Sequence, residues 1–235
     1  MTTVLASLRK AFPHEPTRGQ EQLLNELAVF LTIGWRRSHA LFILRGYAGT
    51  GKTTVVKALT DALPQLGKRT VLLAPTGRAA KVLQSYTGKP AHTIHRKIYL
   101  AHTSKEGQIV LRMQNNYHKH TLFIVDEASM IQHAMSDMQT LLTQRNLLDD
   151  LCQYVYSGEN CRMLFIGDAA QLPPVGLDHS PALDQPFLNR AYHLDIDSYE
   201  LTEVVRQAEE SGILMNATTR SEEHTSELQS RQSNL

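Results

Sequence analysis

Residues 40–53 read ALFILRGYAGTGKT, and the order of their parts sets the architecture. Ala40 to Leu44 form a short continuous apolar run, the pattern of a strand buried on both faces. A glycine-bearing turn ends the run, and a helix is predicted from Lys52 to about Leu63. A strand, a glycine-rich loop and a helix in that order bring backbone amides together where phosphate can be held.

The apolar run recurs three times, at 70–74 (TVLLA), 122–125 (LFIV) and 163–166 (MLFI), each time leading into a turn or helix signal. Strands alternating with helices predict an α/β fold, a parallel sheet with helices on both faces. Upstream, Thr17 and Gln20 have the spacing of a capping box. They open a helix whose Leu23, Leu24, Leu27, Phe30 and Leu31 recur at helical spacing and which is expected to end at Gly34. Polar sequence around Gln108 to Met113 predicts a small hairpin inserted at about 102–120. Four prolines and a glycine between Leu172 and Phe187 predict a long loop bordering the site.

The 235 residues suffice for one large domain or one and a half, and 42% hydrophobic with 20% charged residues excludes wholesale disorder. Lys and Arg total 24 against 23 Asp and Glu, a balance that neither demands nor forbids a nucleic-acid partner. Cys152 and Cys161 stand in no metal-binding spacing and read as reduced thiols. No apolar run reaches membrane-spanning length, and the N-terminal basic residues follow the apolar ones, the reverse of a signal peptide. The expected location is the cytoplasm.

Composition breaks near Thr219. The segment 220–235 (RSEEHTSELQSRQSNL) has no aromatic residue and cannot bury a face. Arg220 to Ser230 also resembles the translation of a common sequencing adapter, so 220–235 is read as a non-native tail on a native chain interrupted at about Thr219. A natural polar tail is the competing reading.

Gly46 to Thr53 (GYAGTGKT) match GxxxxGK[ST] in full, in the strand–helix context the motif requires. Glycines at 46, 49 and 51 let successive N–H groups turn inward around phosphate oxygens, and the following helix adds positive potential. The candidate nucleotide contacts are Gly46, Ala48, Gly49, Thr50, Gly51, Lys52, Thr53 and Thr54, with Lys52 reaching the β and γ phosphates. Thr53 offers its hydroxyl to Mg²⁺, which takes few protein ligands.

Leu122 to Glu127 (LFIVDE) end a second buried strand, expected beside the first, in two carboxylates. Asp126 would hold Mg²⁺, mostly through water, and Glu127 would orient or deprotonate the attacking water of ATP hydrolysis. A solvated pair of helix-start acids is the alternative. Gln171, in GDAAQLPPV (167–175), could bond the γ-phosphate or the lytic water.

GYAGTGKT, APTGRAAK (74–81), IVDEASM (124–130), GDAAQLPPV and LTEVVRQ (201–207) occur in the order seen in superfamily 1 helicases. The wording most resembles the RecD-like, Dda-like group, over Gln20 to about Ser211. That resemblance implies a RecA-like ATPase domain, 1–200, of a 5′ to 3′ DNA translocase using ATP and Mg²⁺, with 201–219 beginning a second RecA-like domain. It further implies that Gln20 reads the adenine edge and that Arg206 reaches the γ-phosphate. Gln20 can also be the capping-box residue, and Arg206 a surface helix arginine. Pro75, Thr76, Gly77 and Arg78, with Thr93 and His95, become candidate contacts to single-stranded DNA, and the hairpin corresponds to the family's strand-separating wedge.

Two other functions remain open at this stage. A nucleotide-binding module without motor activity would use Lys52, Thr53 and Asp126 alone. A P-loop small-molecule kinase would share the phosphate loop but have no use for GDAAQLPP or a DNA-facing APTGRAAK.

Overall fold

A computed structural model describes residues 2–33, 37–103, 107, 109–131, 146–168 and 180–205. In chain order the elements are α1 (Thr2–Ala11), α2 (Arg18–Ile33), β1 (Ala40–Gly46), α3 (Lys52–Ala62), β2 (Arg69–Ala74), α4 (Gly77–Thr87), β3 (Ala91–Thr93) and α5 (Ile94–Ile98). There follow β4 (Tyr99–Thr103), β5 (Ile109–Met113), β6 (Thr121–Val125), α6 (Leu147–Tyr156), β7 (Arg162–Gly167), α7 (Gln185–Tyr192) and β8 (Asp195–Leu201). Met1–Val204 form one compact unit. Among the described residues no helix is long and apolar enough to cross a membrane.

Six strands form one sheet in the order β3-β2-β6-β7-β1-β8. Every pairing within it is parallel. With the helices packed on both faces this is the expected α/β, RecA-like arrangement, and the four apolar runs are its four central strands.

Side chains alternate along β1. Phe42 and Leu44 join Leu23, Leu27 and Phe30 of α2 and Val55 and Leu59 of α3 on one face. Leu41 and Ile43 join Ile98 of α5, Leu151 of α6 and Leu188 of α7 on the other. Phe30 meets Phe42 edge to face, with centroids 5.4 Å apart. Burial on both faces is why these strands lack polar alternation, and each buried Leu or Phe contributes about 1.5–3 kcal/mol.

Three expectations need correction. The strand carrying Asp126, β6, does not lie beside β1, because β7 stands between them. The hairpin is real but begins earlier: β4 pairs antiparallel with β5 from Tyr99↔Met113 to Thr103↔Ile109. Its base is closed by Gln114, whose amide N–H donates to the Ile98 carbonyl at 2.8 Å and whose Nε2 donates to the Tyr99 carbonyl at 3.0 Å. The far end of the predicted long loop is helical, with Pro181–Leu183 a 3-10 turn and α7 starting at Gln185 under an Asp184 cap. Residues 169–179, and with them Gln171, lie outside the described residues, as do Gly34, Arg206 and the tail.

Candidate functional site

The P-loop leaves β1 at Gly46 and enters α3 at Lys52, at the C-terminal end of the sheet. A Cβ on Gly46 would stand 2.8 Å from Thr50 Oγ1 and 2.9 Å from the Leu201 carbonyl oxygen, so any larger residue there would force its neighbours to shift. Gly49 and Gly51 hold φ of 79° and 86°, which glycine adopts without strain. No side chain caps the first turn of α3, which leaves its amides directed at the loop. Thr50 braces the turn by donating from Oγ1 to the Tyr47 carbonyl at 2.9 Å.

Lys52 Nζ donates to the carbonyls of Gly46 at 2.6 Å and Tyr47 at 2.8 Å. It also lies 3.8 Å from Asp168 Oδ2. Burial lowers its pKa, while Asp168 and Asp126 oppose that shift. Asp168 immediately follows β7, the strand next to β1. Local pattern offered little to single it out; strand order brings it to Lys52.

Asp126 immediately follows β6 and is half-buried, with Oδ1 accepting from the Glu127 amide at 2.9 Å. Its pKa is raised, first by burial, against the lowering effects of that hydrogen bond and of Lys52. Glu127 turns at φ 52°, an uncommon conformation for a residue with a side chain. Burial, then the Asp126 charge, raise its pKa, while Arg78 lowers it. Two carboxylates of raised proton affinity beside a lysine suit acid–base chemistry.

Gln20 is fully buried. Its Oε1 accepts from the Thr17 amide at 3.1 Å and Thr17 Oγ1 accepts from the Gln20 amide at 3.3 Å, so the capping box is formed. Gln20 Nε2 donates to the Thr50 carbonyl at 3.2 Å, which fastens α2 to the P-loop. These bonds place the Gln20 amide inside the fold.

The DNA-contact candidates converge at one end of β2 and β3, where Ala74 pairs with Thr93. Thr76 Oγ1 caps α4 by accepting from Ala79 N at 3.2 Å, and Thr93 Oγ1 caps α5 by accepting from Arg96 N at 3.2 Å. The two hydroxyls are therefore already engaged as helix caps. Thr76, Gly77 and Arg78 are exposed, as is His95, whose ring lies 5.8 Å from that of Tyr99.

A parallel sheet whose P-loop faces carboxylates at the ends of β6 and β7 defines a P-loop nucleotide-binding protein of RecA-like fold. The chain belongs to the AAA domain family, which matches residues 19–234. It is similar to the ATP-dependent RecD2 DNA helicase of Deinococcus radiodurans, at 34% identity over 216 residues, covering 88% of this chain and 24% of that protein. It is also similar to the ATP-dependent DNA helicase dda of Enterobacteria phage T4, at 31% identity over 193 residues, covering 81% of this chain and 39% of that protein. The chain thus spans well under half the length of these relatives. They bear out the resemblance of its motifs to the RecD-like, Dda-like group of superfamily 1. The crystal structure of Pif1 helicase from Candida albicans aligns with 78% of this chain and 40% of that chain at a TM-score of 0.44 and 19% identity, values too low to carry a functional argument.

Proposed function

We propose that this chain is the ATPase domain of an ATP-dependent DNA helicase or translocase that moves 5′ to 3′ on single-stranded DNA. The observation that carries the proposal is the Lys52 ammonium at the mouth of the P-loop, 3.8 Å from the Asp168 carboxylate that follows β7. The similarity to two helicases supports the choice of substrate. The end of the compact unit at Val204 supports a first RecA-like domain over 1–200, with 201–219 entering a second.

The form of the loop supports a nucleotide there. A Cβ at Gly46 would crowd Thr50 and Leu201, and Gly49 and Gly51 hold the positive φ from which successive loop amides can turn toward an anion. The Thr53 hydroxyl and the Asp126 carboxylate are hard oxygen donors of the kind Mg²⁺ accepts, and Mg²⁺ when bound would neutralise charge on the β and γ phosphates. Lys52, now turned onto two loop carbonyls, would exchange them for phosphate oxygens. Glu127 would orient or deprotonate the attacking water, aided by its raised pKa.

Gln171 at the γ-phosphate, Arg206 reaching in from the second domain and Gln20 at the adenine rest on the family resemblance. So does the single-stranded DNA path over Pro75, Thr76, Gly77, Arg78, Thr93 and His95. Because closure of two RecA-like domains drives such a motor, this chain by itself is expected to bind nucleotide without unwinding DNA.

The test is ATP hydrolysis by a protein that joins these residues to a second RecA-like domain. Hydrolysis should rise strongly with single-stranded DNA, and Glu127→Gln should lower it by about a hundredfold or more. A rate indifferent to DNA contradicts the motor and leaves an ATP-binding module.

A further inference from the structure

The polypeptide leaving β8 passes back over both parts of the nucleotide site. Leu201 pairs with Gly46, and its carbonyl oxygen closes the space a Cβ on Gly46 would need, at 2.9 Å. Val204 Cγ1 stands 3.5 Å from the Cβ position of Gly49, in the middle of the P-loop. Between them Glu203 turns to α2, where its Oε2 accepts from the Gly19 amide at 3.0 Å. Tyr199 adds a second tie by donating from its hydroxyl to Gln22 Oε1 at 2.9 Å.

Glu203 takes a first-turn amide of α2 other than the two that the capping box satisfies. The first turn of α2 already has its own capping box in Thr17 and Gln20. A second acceptor, 184 residues away in sequence and exposed to solvent, adds little to folding but joins two elements that both touch the P-loop. One is the chain after β8, through Leu201 and Val204, and the other is α2, through the buried Gln20–Thr50 bond. The Gly19 amide and then Thr17 hold the Glu203 carboxyl below its usual pKa, so the bond forms with the charged, stronger acceptor. Gly19 is matched to the contact, because a Cβ there would stand 3.3 Å from the same carboxylate oxygen.

We propose that Glu203 is a positioning residue that holds the chain leaving β8 against α2 and the P-loop, so that nucleotide binding at the loop is coupled to the path of the segment three residues before Arg206. This rests on the reading of the P-loop as the nucleotide site. The bond acts at a distance from phosphate: it fixes α2, α2 fixes the Thr50 carbonyl through Gln20, and Thr50 braces the loop.

The test uses the full 235-residue chain, titrated with a fluorescent ATP analogue and Mg²⁺, with amide hydrogen exchange read over residues 201–205. Glu203→Ala should weaken binding roughly fivefold, the lower end of ordinary coupling between sites. Its melting temperature should stay within about 2 °C of wild type, as for a surface substitution. Glu203→Gln keeps an acceptor oxygen and should stay within about twofold. In wild type the analogue should slow exchange across 201–205, and in Glu203→Ala it should not. Binding or nucleotide-induced protection unchanged by Glu203→Ala overturns the coupling while leaving the nucleotide site intact. A wild-type chain that binds no analogue overturns the nucleotide reading itself and the coupling with it.

Discussion

The Lys52 ammonium sits 3.8 Å from Asp168 Oδ2 while donating to the Gly46 and Tyr47 carbonyls. Its three N–H groups thus face three acceptors within the protein. In this arrangement the lysine that would meet the phosphates is held at the mouth of the loop, its charge preserved against burial by Asp168 and Asp126. Removing the nearer charge should let burial prevail. Asp168→Asn is therefore expected to lower the Lys52 pKa further and move the alkaline limb of nucleotide binding to lower pH. Titration of a fluorescent ATP analogue between about pH 7 and 10 reads this limb; an unmoved limb would show that Asp168 does not support the lysine.

Arg78 lowers the Glu127 pKa from the first turn of α4, among the candidate DNA contacts. A base must be deprotonated to act, so hydrolysis is lost as pH falls through its pKa. Arg78→Ala removes the cation, raises the Glu127 pKa and should shift the acid limb of DNA-stimulated hydrolysis to higher pH. A pH–rate profile of the two-domain protein measures it.

Burial of the Asp126 carboxyl carries a cost in stability. Its folded pKa lies above the ordinary carboxylate value, so the native state binds more protons than the unfolded chain between those two values. Stability therefore falls as pH rises through that window. Asp126→Asn should melt higher than wild type at pH 7, with the gap closing as pH drops below the ordinary carboxylate range, while Mg²⁺-dependent hydrolysis is lost. Thermal melts at the two pH values check the sign.

Gly46→Ala would force a methyl group to within 2.8 Å of Thr50 Oγ1 and 2.9 Å of the Leu201 carbonyl oxygen. Overpacking of this kind costs about 1–3 kcal/mol, and here the backbone of β8 would have to give. Chemical denaturation should show that loss, together with weaker nucleotide binding.

Much of this was legible in the sequence because it is local. The strands β1, β2, β6 and β7 each carry a continuous apolar run since helices cover both faces, and GYAGTGKT encodes its own turn. The edge strand β8 (DIDSYEL) was not legible: four of its seven residues are Asp, Glu or Ser, and Asp195 and Asp197 are used to bind Arg37. Asp168 stands inside GDAAQLPPV, but its role is not local: its partner Lys52 comes from another strand and only the β7–β1 neighbourhood joins them. Gln20 was read correctly as a capping residue, but its bond to the Thr50 carbonyl spans 30 residues and follows from packing alone. Glu203, likewise, meets Gly19 only once β8 is laid beside β1.

The most direct measurement is binding of ATP with Mg²⁺ to this chain by calorimetry, for wild type and for Lys52→Ala. A stoichiometric, Mg²⁺-dependent complex that Lys52→Ala weakens by at least about tenfold is the predicted result, since the variant loses a charge-assisted contact to phosphate. Absence of binding by the wild type, or binding that Lys52→Ala leaves unchanged, would contradict the assignment of the P-loop as a nucleotide site.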